Sequence, residues 1–182
     1  MAGAWPAWPS SSWTSLAERF GQAGFLFWAP QRPAGGNLVG ALKVGRRALE
    51  VALEDPQVDQ ERIALLGFSQ GSWVAALVGL THPQVRAIGL LGLGSPLLQP
   101  GPGPARRLEG LDYGQVRAAV LIQAAGGDEV VDDAAWRQLQ KRLTQAGHQA
   151  RVIVYPGARH DGLCGLGTYL DDTLAFVKES LR

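Results

Sequence analysis

The stretch Gly67-Phe68-Ser69-Gln70-Gly71 decides how this chain is read. It spells G-x-S-x-G. Before it runs Ile63-Ala64-Leu65-Leu66, a short apolar segment suited to a buried strand. After it, Ser72-Trp73-Val74-Ala75-Ala76-Leu77-Val78 suits a buried helix. A serine between two glycines at a strand-to-helix junction has the sequence form of a nucleophile elbow. Such a turn leaves almost no room for side chains at its flanking positions and requires unusual dihedrals, and glycine meets both demands. The Ser69 hydroxyl is then pushed out at the end of the sheet. The Gln70 N–H, at a helix N-terminus, faces any oxyanion formed there. In a chain with 24 glycines the five letters arise easily by chance, so the strand before and the helix after carry the weight.

Working outward, strands with near-continuous apolar runs alternate with amphipathic helices. Ser12 is expected to cap a helix to about Ala23, with Trp13, Leu16, Ala17 and Phe20 on one face, closed by Gly24. Phe25–Trp28 reads as a buried strand, and 30–37 as a loop. Asn37 caps a helix that carries Leu38, Leu42, Leu49 and Leu53 and ends at Asp55-Pro56. Arg62–Leu66 is the strand into the turn, 70–81 the helix out of it, and Val85–Leu91 another strand. Four prolines between Pro96 and Pro104 argue against regular structure from Gly92 to Gly110, which is read as a loop at a substrate rim. Ala118–Ala124 is a strand. Asp132 or Asp133 caps a helix with Trp136, Leu139 and Leu143. Val152–Tyr155 is a strand, and Thr168 caps the last helix, with Leu170, Leu174, Val177 and Leu181 inward. This alternation predicts an α/β protein, a mostly parallel sheet covered by helices on both faces, in a single domain over 1–182. Right-handed crossovers put every strand's C-terminal end on one edge, where the site should lie.

Composition narrows the function classes. Charged residues are 18% of the chain and net charge is +1 with no basic block, which gives no electrostatic case for nucleic acid or an anionic membrane. No apolar run approaches the roughly 20 residues of a membrane helix. The start, MAGAWPAWPSSSW, lacks the charge and apolar run of a signal peptide. One cysteine, Cys164, excludes an internal disulfide and a multi-cysteine metal site; no metal or cofactor is expected, and a cytoplasmic location is the default.

A serine hydroxyl needs a base, and the base needs an orienting carboxylate. Asp128 lies in the glycine turn Ala125-Gly126-Gly127-Asp128, directly after a buried strand. Position favours it over Glu129, expected to face away, and over Asp132 and Asp133, better explained as caps. His160 lies in Pro156-Gly157-Ala158-Arg159-His160-Asp161-Gly162, again after a strand. His82 ends the helix leaving the elbow, at the end remote from Ser69, and His148 sits on a turn at the opposite edge. Ser69, Asp128 and His160 thus arrive in the order of one known triad topology. Arg159 and Asp161 read as solvated loop charges, Cys164 as apolar filler, Trp73 and Trp136 as core or interface, and Trp5, Trp8 and Trp13 as packing or a pocket wall.

These segments resemble the α/β-hydrolase fold serine hydrolases, in particular the dienelactone hydrolase and carboxylesterase/acyl-thioesterase group. VDQERIALLGFSQGSWVAAL is similar to that group's elbow, GGDEVVD to its acid loop, YPGARHDG to its histidine loop, and LAERFGQAGFLFWAP to the helix and strand before them. The likeness covers roughly residues 13 to 182. It implies Ser69 as nucleophile, His160 as general base and acid, Asp128 as orienting acid, and the Gln70 N–H as one oxyanion donor. One departure stands out. The family has a buried strand before its first helix, ending in a loop that supplies the second oxyanion N–H. Here the chain starts with Met1-Ala2-Gly3-Ala4-Trp5, so the first strand or strands are missing from the pattern. A backbone N–H near Gly3 is the candidate replacement.

The expectation is a serine esterase acting on a small-molecule ester or thioester, and a homodimer is allowed for. The alternative is a weakly active or non-catalytic hydrolase-fold binding protein lacking part of its oxyanion hole. A peptidase would usually carry a gating domain, for which the chain is short, and an acyltransferase would need an acceptor site that the sequence does not display.

Overall fold

The computed structural model describes residues 10–30, 37–94, 104–165 and 167–182. Among these residues six α-helices and four strands follow in chain order, alternating from α2 onward: α1 (Ser10–Gln22), α2 (Leu38–Glu54), β1 (Ile63–Phe68), α3 (Gln70–Gly79), β2 (Val85–Leu91), α4 (Pro104–Glu109), β3 (Ala119–Ala125), α5 (Ala134–Gln145), β4 (Ala150–Tyr155) and α6 (Gly167–Ser180). The strands form one sheet in the order β1-β2-β3-β4, every pair parallel. Phe68 pairs with Leu91, Leu91 with Gln123, and Ala125 with Tyr155, so all four strands finish at one edge.

The side-chain period of two divides each strand between two cores. Ile63, Val85, Ile88, Leu90, Val120 and Ile122 pack beneath α2, α3 and α5. Phe68, Ala87, Leu91 and Leu121 pack beneath α1 and α6, against Leu16, Phe20, Tyr169, Phe176 and Val177. Burial on both faces explains the unbroken apolar runs of β2 and β3. Trp73 and Trp136 are core residues, as expected, and the Trp73 indole also donates to the Gly94 carbonyl at 3.0 Å.

Local signals act where the sequence places them, with four corrections. Asn37 caps α2, its Oδ1 accepting from the Gly40 N–H at 3.0 Å. Asp133 holds the N-cap position of α5, while the carboxylate that accepts from the Ala134 N–H is that of Asp132. The first correction concerns Phe25–Trp28, which is not a strand. An isolated segment has nothing to satisfy a ladder. Phe25 and Phe27 pack on the Phe20 ring, at 5.8 and 6.1 Å between centroids, while Leu26 and Trp28 face solvent. Between this segment and the outer edge of β1 runs an apolar cleft of about 390 Å³, roofed by α2 and α3 and floored by Leu16, Phe20, Val177 and Leu181. Among the described residues no strand pairs with that edge. The second correction is that 92–110 holds a helix: Pro104 occupies the first helical position of α4, where a missing N–H costs nothing. Third, α6 begins at Gly167, so Thr168 sits inside its first turn. Fourth, α1 begins at Ser10, before the expected cap at Ser12. The side chains of Ser12, Trp13 and Cys164, and all of Gly3, Trp5 and Trp8, lie outside the described residues.

Candidate active site

Ser69 is the only non-glycine residue with positive φ among the described residues, at φ 52°, ψ −120°. An L-residue holds such a conformation only where its surroundings impose it. Here the Ser69 N–H donates to the Leu91 carbonyl at 2.8 Å and its carbonyl accepts from the Ser72 N–H at 3.0 Å. The buried Ser72 hydroxyl lies 2.8 Å from the Gly67 carbonyl and 2.7 Å from that of Leu91, tying the turn from inside. Gly67 is required sterically, because a Cβ there would lie 2.1 Å from the Gly71 carbonyl oxygen. Gly71 is not: a Cβ there meets no described atom within 4 Å. The expectation that both flanking glycines are forced by crowding is thus corrected for Gly71. Sequence reading assigned no role to Ser72. Its signal was a lone small polar residue in an otherwise apolar helix.

The end of β3 supplies the carboxylate. Gly126 donates to the Tyr155 carbonyl and Gly127 to that of Ala158, both at 2.9 Å, which lays the acid loop against the histidine loop. Asp128 Oδ1 accepts from the Val130 and Val131 N–H groups, both at 3.0 Å. Oδ2 is left for His160, whose Nδ1 lies 2.8 Å away. The imidazole is buried, its side chain 3% exposed, against 12% for the Asp128 side chain. A carboxylate only accepts, so Nδ1 carries a proton, and in the neutral ring Nε2 is the acceptor.

The His160 ring stacks at a tilt on Phe68, 5.0 Å between centroids, and lies against Gly92. Phe68 precedes Ser69, and Gly92 follows the carbonyl that anchors Ser69. The imidazole therefore stands over the ends of β1 and β2, at the elbow. Nε2 is buried and makes no hydrogen bond to any described group, the Ser69 hydroxyl included. The structure thus brings Asp128 and His160 into direct contact and Ser69 to the same strand-end edge without a bond to the ring. Gln70 opens α3, its backbone N–H in the first helical turn. Gly3 lies outside the described residues. His82 bonds locally, its Nδ1 accepting from the Gln84 N–H at 3.3 Å.

Two more features escaped sequence reading. Glu129 does not face away. Its Oε1 accepts from Arg159 Nε at 2.8 Å and its Oε2 from the His160 backbone N–H at 3.4 Å. Desolvation pushes its pKa up, but the bonds from Arg159 and the backbone N–H groups outweigh that and hold it below the usual carboxylate value. Arg159 is accordingly a partner rather than a merely solvated charge. Beneath the sheet's end, buried Gln123 donates to the Tyr155 hydroxyl at 2.7 Å and accepts from Thr173 at 2.9 Å, while Tyr155 donates to Asp172 at 2.8 Å. Among the described residues no cluster of three metal-ligating side chains occurs, and no helix is long and apolar enough to cross a membrane.

The parallel sheet, its helical cover and a serine elbow at the strand ends define an α/β-hydrolase fold protein. The sequence profile of the dienelactone hydrolase family matches residues 36–165, and the chain belongs to that family. Solved structures share the fold at low identity. Esterase PE8 is 20% identical with a TM-score of 0.55, over 84% of this chain and 69% of its own. A truncated carbohydrate esterase from gut microbiota is 17% identical with a TM-score of 0.61, over 81% of this chain and 69% of its own. SOBER1 of Arabidopsis thaliana is 15% identical with a TM-score of 0.56, over 83% of this chain and 70% of its own. No curated protein matches the chain.

Proposed function

We propose that this protein is a serine hydrolase that cleaves a carboxylic ester or thioester through an acyl-enzyme on Ser69. One observation carries the reading: Asp128 bonds Nδ1 of the imidazole, whose buried Nε2 has no partner among the described residues, at the strand-end edge where a serine is held at positive φ. In the reaction, Ser69 Oγ bonds to the substrate carbonyl carbon as its proton passes to His160 Nε2. Asp128 stabilises the resulting imidazolium. The Gln70 N–H donates to the oxyanion, with an amide near Gly3 as the proposed second donor. The carbon–oxygen or carbon–sulfur bond then breaks, and the alcohol or thiol leaves with the proton from Nε2. Water repeats the cycle: its oxygen bonds to the acyl carbon as His160 takes its proton, the ester to Ser69 breaks as Nε2 returns that proton to Oγ, and the acid departs. No step calls for a metal or a cofactor.

The test is labelling with a fluorophosphonate, followed by turnover of p-nitrophenyl esters of increasing chain length. Labelling and turnover are expected from the natural chain and from neither Ser69→Ala nor His160→Ala. Labelling that persists in Ser69→Ala overturns the assignment. A second reading, a weakly active or purely binding protein, is favoured by the absence of a bond between Nε2 and the Ser69 hydroxyl. It predicts slow labelling and no turnover of any ester in the series.

A further inference from the structure

We propose that Glu129 and Arg159 act as one clasp that positions His160, a role that rests on His160 being the general base. The acid loop and the histidine loop follow neighbouring strands, β3 and β4, and the histidine loop runs on into a short 3-10 helix, Asp161–Gly165. Bonds from Gly126 to Tyr155 and from Gly127 to Ala158 join them on the sheet side. Beyond Ala158 the hydrogen bonds between the loops, among the described residues, come from side chains. Asp128 takes the ring of His160, and Glu129 takes its backbone N–H and the neighbouring guanidinium. Consecutive carboxylates on one loop thus grip consecutive residues on the other. One fixes the imidazole and the other fixes the peptide that carries it.

The geometry separates this role from a surface ion pair. Two solvent-facing charges add little stability of their own. Arg159 is largely exposed, so its side chain buries almost nothing by staying. What Glu129 holds, however, is the amide of the residue whose ring is buried against Phe68 and Gly92. A small swing of that peptide turns the ring on Phe68 and moves Nε2 relative to Ser69. Arg159 spans from its own loop to the same carboxylate, and by charge pairing keeps Glu129 turned toward the amide rather than into water. On the far side the turn after His160 is pinned by Leu163, fully buried, whose N–H donates to the Arg159 and His160 carbonyls. The clasp is therefore the adjustable side of a loop whose other side is fixed.

The test compares Glu129→Gln, Arg159→Gln and the double variant with the natural chain. Each single change is expected to lower kcat on p-nitrophenyl acetate by about 10-fold, inside the about 100-fold that a 1 Å misplacement costs, with KM unchanged. The double variant is expected to be no slower than the worse single, because the two residues act as a unit. A second readout needs no turnover: exchange of the hydrogen-bonded His160 Nδ1 proton, followed by NMR without substrate. It is expected to quicken several-fold in each variant while Tm moves by no more than a few degrees. Unchanged proton exchange, or losses in kcat that multiply in the double variant, overturns the clasp. Quickened exchange in a protein that turns over no ester supports the clasp and removes the hydrolase reading instead.

Discussion

A Cβ placed on Gly92 would lie 3.1 Å from Cε1 of His160 and 3.4 Å from its Nδ1. The end of β2 is thus bare where the imidazole needs the space, and Gly92 also holds a φ of 62°. Gly92→Ala is expected to press on the ring from behind and to cost about 1–3 kcal/mol of backbone strain. Activity should fall further than stability does. Kinetics on an activated ester beside a urea melt would show this, and a variant with natural kcat would mean that the ring has room to spare.

The two glycines of the elbow should part company. Gly67→Ala drives a methyl into the Gly71 carbonyl, a backbone atom that cannot move aside, so a loss above about 3 kcal/mol or failure to fold is expected. Gly71→Ala meets open space, and alanine is up to about 1 kcal/mol better than glycine in a helix. Urea midpoints of the two variants should therefore move in opposite directions.

That contrast marks how far the sequence could be read. Much that short-range pattern sets was legible: the strand and helix around Ser69, the Asn37 cap, and the post-strand positions of Asp128 and His160. The caps expected at Ser12 and Thr168 were misplaced, both residues falling inside the first turn of their helices. Parallel connectivity then forced those three residues to one edge. Relations between loops were not legible, because nothing local in Glu129 or Arg159 says which way either side chain turns. Ser72 drew no role for the same reason, since its acceptors lie near the ends of β1 and β2. The strand expected at Phe25–Trp28 failed because apolarity signals burial, while a strand also needs a neighbour to bond.

Asp128→Asn is expected to leave the loop standing, since an amide oxygen can still accept from Val130 and Val131. Its amide nitrogen, turned toward His160, would favour the wrong tautomer. A drop in kcat of about 10⁴-fold with little change in Tm is the expected result. An equal collapse of both would assign Asp128 to structure instead of chemistry.

Tyr155 gives a prediction in alkali. Burial chiefly, and then its bond to Asp172, raise its pKa well above the ordinary phenol value despite the opposing bond from Gln123. A raised pKa in the folded state means that the native chain keeps a proton that the unfolded chain gives up. The stabilisation is complete below about pH 10, the unfolded phenol's value, and declines as pH rises beyond it. Tyr155→Phe should therefore flatten the loss of Tm between pH 9 and about 11, though its Tm at neutral pH should be lower for want of two hydrogen bonds.

The dihedrals of Ser69 put a limit on improving this protein. Glycine at 69 would relax a conformation that costs serine about 1–3 kcal/mol, whereas alanine would keep the strain and lose only the hydroxyl. Ser69→Gly should thus melt above Ser69→Ala. A directed-evolution campaign that selects for heat resistance without a screen for turnover is therefore expected to accept glycine at the very position proposed as the nucleophile.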